Sequence, residues 1–226
     1  MTKRSFAVIG LGRFGSAIAT TLTELGHDVL GIDANEDRVA RVSDVVAHSV
    51  QLDATDEKAL RAAGIQDVDV AVISIGERID SSLLVVMLVK ELGIPTIIAK
   101  ATTPLHGRIL EKLGVSRVIF PERDMAVRVA HSLVVPNVLD YIELSRDFSI
   151  VEVPAPPEFV GRTLRELALR AHYGLTLIAL RRAGQPDERE VTIVSPLAED
   201  RIEAGDVLSL LGPNDRLSQL DGLLKT

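Results

Sequence analysis

Ser5-Phe6-Ala7-Val8-Ile9 runs directly into Gly10-Leu11-Gly12-Arg13-Phe14-Gly15, and a helical pattern follows at once. A short apolar run bounded by glycines reads as a buried parallel strand. In the G-x-G-x-x-G turn Gly10 permits the tight bend and Gly12 lets the backbone approach a phosphate. Gly15 lets the next helix pack close to the strand. That helix aims unsatisfied N–H groups and its positive dipole end at whatever anion sits there. Alone the pattern is weak, since glycines in a loop are usually only a loop. Its context strengthens it: Val29-Leu30-Gly31-Ile32 forms a second strand ending at Asp33, where a carboxylate would take ribose hydroxyls.

Arg13, inside the glycine turn, sets a forked and permanent positive charge beside the phosphate oxygens. The helix dipole already serves the two charges of a dinucleotide. The more highly charged distal phosphates of ATP or ADP suit an added arginine better. The alternative is a solvated surface arginine.

Composition narrows the classes. The 226 residues suffice for one large domain or two small ones, and a hydrophobic fraction of 46% can fill a core. With no cysteine there is no disulfide framework, thiolate metal site or cysteine nucleophile, which fits a reducing compartment. The chain enters its first strand at once, so no secretory signal is expected. The longest apolar helical run, Leu83 to Val89, is far short of the ~20 residues of a bilayer span. A soluble, cytoplasmic chain is expected, with any membrane role left to a separate partner. A net charge of −7 argues against a sequence-neutral grip on nucleic acid, and the absence of Trp leaves little to stack bases on.

Along the chain strands alternate with helices. Phe14, Ala17, Ile18, Leu22 and Leu25 mark one face of the first helix, and Gly26 stops it as a C-terminal cap would. Asn35-Glu36-Asp37 opens a short helix carrying Val39 and Val42. His48 to Leu52, Val70 to Ile75, Ile94 to Ala99 and Val115 to Phe120 read as further strands. Asp80 or Ser81 caps a helix running to Leu92. The prediction is α/β: a Rossmann-like, doubly wound parallel sheet with both faces covered, filling residues 1–123. Met125 to Val135 is a helix with little polar face, which implies burial in a core or a subunit interface. Pro136-Asn137 breaks it, and Val138 to Leu144 continues as a second amphipathic piece. This helix–break–helix over 124–146 reads as an arm for a neighbour, or else as a last helix capping its own sheet. Residues 147–226 read as a smaller α+β module, with a hairpin across Ala183-Gly184.

No catalytic set stands out. A dehydrogenase needs an acid or base over the nicotinamide. None of His27, His48, His106, His131 and His172 sits in a recognisable catalytic or metal-binding spacing. What gathers at the strand ends is a binding site: Gly10, Gly12, Arg13, Asp33, Asn35, Asp53, Ile75, Lys100 and Glu122. Lys100 is either a phosphate ligand or a surface lysine. Glu122 is repelled by a polyphosphate unless a cation lies between them. Otherwise it is an acid at a helix N-terminus, which the dipole favours.

With these residues assembled, the chain closely resembles the RCK family (regulators of potassium conductance), in particular the cytosolic gating subunits of Ktr-type and Trk-type potassium transporters. The similarity covers nearly the whole length. It is carried by Phe6 to Gly15, Gly26-His27-Asp28-Val29-Leu30, Ile32-Asp33, Asp53-Ala54-Thr55 and Val72-Ile73-Ser74-Ile75-Gly76. Phe120-Pro121-Glu122-Arg123-Asp124-Met125, Asn137-Val138-Leu139-Asp140-Tyr141-Ile142 and Arg170-Ala171-His172-Tyr173-Gly174 carry it further. The resemblance implies a non-enzymatic, nucleotide-sensing subunit binding ATP or ADP, with NAD or NADH as other candidates. It implies a homodimer assembling into an octameric ring beneath a potassium-conducting membrane subunit. By position it adds Phe14, Gly15 and Ala54 to the nucleotide site, sets Arg13 and Lys100 on phosphates and Asp33 on the ribose. Glu122 would hold a divalent cation such as magnesium or calcium. Some relatives bind cyclic di-AMP, where Arg170 and Pro196 match. The Gln185-Pro186-Asp187-Glu188-Arg189-Glu190 stretch departs from their usual hairpin turn. Two other readings remain: a small NAD-dependent oxidoreductase, and a stand-alone nucleotide-binding protein.

Overall fold

A computed structural model of the chain describes residues 2–76, 78–134, 139–182 and 191–219. It forms two compact units, Met1–Glu122 and Arg123–Thr226. In the first, β1 (Ser5–Ile9), α1 (Arg13–Glu24), β2 (Asp28–Asp33), α2 (Glu36–Ala40), β3 (His48–Gln51) and α3 (Glu57–Ala62) make one half. The other half is β4 (Val70–Ile73), α4 (Ile79–Glu91), β5 (Thr96–Lys100), α5 (Pro104–Lys112) and β6 (Arg117–Ile119). The strands run parallel in the order β3-β2-β1-β4-β5-β6. This is the expected doubly wound sheet. Its ligand crevice opens at the carboxyl ends of the strands, where the order reverses between β1 and β4.

Alternation along the strands explains the two covered faces. Ala7, Ile9, Ile32, Ala71 and Ile73 enter one core, and Val8, Val29, Val70 and Val72 enter another. A strand buried on both faces needs apolar residues at every position, and all four residues of β4 are buried.

Several local expectations shift. Gly15 and Ala19 are the buried residues of α1, whereas Ala17 is exposed and Leu25 is 66% exposed. The helix approaches the strand so closely that only the smallest side chains fit the contact line. Val42 lies beyond α2 but is still buried. Helix α4 begins at Ile79 with Arg78 as its N-cap, so Asp80 falls in the first turn rather than capping it. Helix α6 (Pro121–Val134) starts four residues before Met125, with proline at the first position, where its missing N–H costs nothing.

The second amphipathic helix expected over Val138 to Leu144 is instead a strand, β7 (Asp140–Glu143). Tyr141 points into the second core while Ile142 and Glu143 are exposed, and β7 pairs antiparallel with β8 (Phe148–Pro154). Cross-strand pairing decides a segment this short, whose apolar pattern fits either period. The expected helix–break–helix is therefore a helix followed by a strand. Val135 and the break at Pro136-Asn137-Val138 lie outside the described residues.

The second unit continues with α7 (Leu164–Leu167), α8 (Leu169–Tyr173), β9 (Thr176–Arg182), β10 (Val191–Val194), β11 (Val207–Pro213) and α9 (Asn214–Gln219). Its sheet has the order β10-β9-β11-β8-β7 with antiparallel pairs, over a core of Phe159, Leu175, Leu180, Ile202, Leu208 and Leu210. Strands β9 and β10 pair as a hairpin would, but Ala183-Gly184 and the 185–190 stretch lie outside the described residues. Buried Asp206 ties this unit together. Its Oδ1 accepts from Arg182 Nε and its Oδ2 from Arg182 Nη2, both at 3.1 Å, and Oδ2 also accepts the Glu203 N–H at 2.8 Å.

Candidate nucleotide-binding site

Ile9 stands opposite both Ile32 and Ile73, so Gly10, Asp33 and Ser74 come level at the carboxyl edge of the sheet. The Gly10 N–H donates to the Ile32 carbonyl at 2.8 Å, and the Ser74 N–H to the Ile9 carbonyl at 2.7 Å. Gly10 has φ +94°, and a Cβ there would stand 3.1 Å from the Ser74–Ile75 backbone. A Cβ on Gly15 would come 1.9 Å from the Gly10 carbonyl oxygen. Gly12 differs: its φ is −65°, and a Cβ would meet nothing within 4 Å. The protein's own packing does not demand glycine there, and the open space suits a phosphate.

Asp33 is only 8% exposed. Its Oδ2 accepts the Leu11 N–H at 2.7 Å and its Oδ1 the Asn35 N–H at 2.9 Å, and Arg38 Nη1 lies 3.6 Å from Oδ2. Each carboxylate oxygen has two lone pairs, so both retain capacity for ribose hydroxyls. The Asn35 side chain is occupied, capping α2 through the Arg38 N–H at 3.1 Å. Asp53 turns its Oδ1 to its own loop, accepting from the Thr55 N–H at 2.9 Å and the Thr55 hydroxyl at 2.7 Å. Those two bonds hold its carboxyl below the usual range, and the Arg78 charge adds to them. Ala54 packs into the core and Ile75 lines it.

Helix α1 starts with no side-chain cap and no acid in its first turn, leaving its N–H groups open to an anion. Lys100, 12% exposed at the end of β5, donates from Nζ to Glu122 Oε1 at 2.5 Å and lies 5.8 Å above the centre of the Phe14 ring. The sequence reading missed Gly76, whose conformation gives no outward signal. A Cβ on it would stand 3.5 Å from Lys100 Nζ and 3.2 Å from Thr102 Cγ2, so the gap it leaves is where Lys100 lies. Glu122 is in the first turn of α6, 70% exposed. The Lys100 bond first, then the charges of Lys100 and Arg13, hold its carboxyl below the ordinary glutamate range. Arg13, Lys100 and Glu122 thus form one charge cluster.

A depressed carboxylate pKa means that the pairing is complete at neutral pH and is lost only as pH falls through the folded value. The Glu122 side-chain carboxyl carbon is therefore expected to titrate by NMR with its midpoint below the free value of ~4.3. A midpoint at or above that value would dissolve the Lys100–Glu122 pair.

His106, 1% exposed, is the buried histidine of this unit. Burial pushes its imidazole pKa down, and its Nδ1 faces the Thr102 N–H at 3.4 Å. Among the described residues no group of three or more His, Asp or Glu is arranged to hold a metal ion, and no helix is long and apolar enough to cross a membrane.

The fold defines a Rossmann-type chain with an appended α+β module. Residues 6–121 match the TrkA-N domain and residues 148–225 the TrkA-C domain. Ktr system potassium uptake protein C of Bacillus subtilis is 42% identical over 219 residues, covering 97% of this chain and 96% of that protein. The chain belongs to this TrkA/Ktr family of potassium uptake proteins, as its RCK-like motifs indicated. Two solved structures share the fold over its entire length: the GsuK RCK domain (TM-score 0.65, 21% identity) and the GsuK channel bound to NAD (TM-score 0.62, 20% identity). The chain spans 48% and 40% of those two chains, respectively.

Proposed function

We propose that this chain is a nucleotide-sensing regulatory subunit that takes ATP or ADP at the β1–β4 crevice and gates a potassium-conducting membrane subunit. The observation that carries the reading is the Arg13–Lys100–Glu122 cluster beside the uncapped start of α1. On this reading the distal phosphates of a nucleotide end among its charges, so it distinguishes ligands differing only there. Two unit charges 4 Å apart at an effective dielectric of 20 interact by about 4 kcal/mol. A γ-phosphate that draws Lys100 away from Glu122 leaves that carboxylate facing it, and a divalent cation shared by the two offsets the repulsion. ADP lacks the group that makes this cation useful. The GsuK channel, of the same fold, is bound to NAD, which makes dinucleotides the competing ligands.

Gating follows from differential affinity, since a ligand shifts two states only by binding them unequally. Moving an equilibrium from 1:99 to 99:1 takes about 5.5 kcal/mol. An octameric ring divides that into under ~1 kcal/mol per site. Helix α6 suits such an assembly: Met125, Val129 and Leu133, spaced by four residues, are exposed apolar side chains along one side of it, a face for a second copy. In the second unit Arg170 is exposed and Pro196 half-buried, the two positions matching cyclic di-AMP contacts.

Calorimetric titration of the purified chain tests the site. Without metal ADP is expected to bind more tightly than ATP, and magnesium to tighten ATP far more than ADP and so bring the two to similar strength, with NADH weaker. Glu122→Gln is expected to erase that metal effect. Gly12→Ala, which the fold accommodates, is expected to weaken every nucleotide by at least tenfold at an unchanged melting temperature. NADH binding far tighter than ATP would favour the oxidoreductase reading instead.

A further inference from the structure

The first residue beyond β4 breaks the pattern of the strand it follows. Side chains alternate between faces along a strand, and Val70 and Val72 of β4 enter the core that also receives Ala19 of α1. Ser74 continues that row, and so puts a hydroxyl where the strand had put valines. It is 9% exposed. Its Oγ would stand 3.2 Å from a Cβ on Gly15, the third residue of α1. The hydroxyl therefore lies against the first turn of that helix.

Among the described residues no hydrogen bond engages that hydroxyl. Two other serines show the contrast. Ser16, one residue past Gly15, returns its hydroxyl to the Gly12 and Arg13 carbonyls at 2.9 and 3.2 Å. Ser149, buried in the second unit, bonds the Tyr141 hydroxyl at 2.7 Å and Asn214 Oδ1 at 2.8 Å. A buried hydroxyl without a partner destabilises a fold, and alanine would avoid that cost. A partner that arrives with a ligand accounts for serine here.

The surroundings define that partner. Gly10, Asp33 and Ser74 are level at the carboxyl edge, with Asp33 on the β2 side of the glycine turn and Ser74 on the β4 side. Helix α1 presents N–H groups with no side-chain cap and no acid in its first turn. A hydroxyl beside them adds one more donor. A set of donors at the positive end of a helix fits a phosphate, which only accepts.

We infer that Ser74 is a phosphate ligand, its hydroxyl donating to the diphosphate group held at the start of α1. This rests on the nucleotide reading above and deepens it. Ser74 then serves every ligand that carries a diphosphate, whereas Arg13 serves the distal phosphate of ATP.

Titrating the full chain with ADP, ATP and NADH, which share a diphosphate, separates the two roles. Ser74→Ala is expected to weaken all three by one common factor of about ten or more, the size of one hydrogen bond to a charged group. Ser74→Cys nearly keeps the volume but is a weak donor, and should lose almost as much. Arg13→Ala should weaken ATP most. Without nucleotide both Ser74 variants should melt at or above the temperature of the unmutated chain, because they remove no hydrogen bond within the protein. A ligand-free melting temperature lowered by several degrees in both would make the hydroxyl a tie between β4 and α1 and overturn its role as a ligand. A loss confined to ATP would place it with the distal charges instead, and affinities within twofold would remove it from the site; either result overturns the assignment and leaves the site intact. If the unmutated chain bound none of the three, the nucleotide reading would fall and this one with it.

Discussion

Gly15→Ala is expected to cost the first unit about 3 kcal/mol or more, at or beyond the top of the range for overpacked sites. The added methyl would stand 1.9 Å from the Gly10 carbonyl oxygen and 3.0 Å from its carbon. Backbone cannot swing aside as a side chain can. Gly10 is fixed by its own N–H on the Ile32 carbonyl and by close contact with the Ser74–Ile75 backbone. Helix α1 therefore has to move off the sheet, taking Ala19 out of its core. For a chain of this length 1 kcal/mol shifts the melting temperature by roughly 2–4 °C, so a fall of about 6–12 °C is expected by circular dichroism. Gly12→Ala is the internal control, three residues away in the same turn and free of contacts. If the two variants melted together, α1 would lie farther from β1 than described here.

The same contrast shows what was legible in the residues. The parallel sheet was, because strands buried on both faces write themselves as unbroken apolar runs closed by glycines. The role of Gly15 was legible too, since close helix–strand packing has a fixed place in the turn. What escaped depends on partners distant in sequence. Lys100 and Glu122 are 22 positions apart, and each alone looks like a surface charge. Asp53 and Asn35 were read as site residues, but Thr55 and the Arg38 N–H already engage them. Their pattern fits a ligand contact and a local turn equally well, because Asp and Asn serve both. The Val138 to Leu144 segment failed for another reason. Four residues of β7 are too few to fix a period, and its pairing with β8 is a tertiary fact.

Asp33→Ala is expected to have the largest combined effect, because the carboxylate has two jobs. It holds the glycine turn to the end of β2 through the Leu11 and Asn35 N–H groups, at 2.7 and 2.9 Å. Hydrogen bonds to a charged group contribute ~1.5–3 kcal/mol each, and Asp33 is 8% exposed, so water replaces them poorly. The ligand-free variant should therefore lose about 3–6 kcal/mol, a large part of the 5–15 kcal/mol typical of a folded domain. Its melting temperature should fall by about 6–24 °C on the same scale. The second job, on the proposed nucleotide reading, is the ribose, so ATP at a concentration that raises the melting temperature of the unmutated chain should leave the variant's unchanged. The two readouts move independently. A normal melting temperature with no response to ATP would make Asp33 a ligand residue alone and its backbone bonds weak. A lowered melting temperature that ATP still raises would make Asp33 a structural tie alone. The ribose would then be held elsewhere, and the assignment of the whole crevice would have to be redrawn around Arg13 and Lys100.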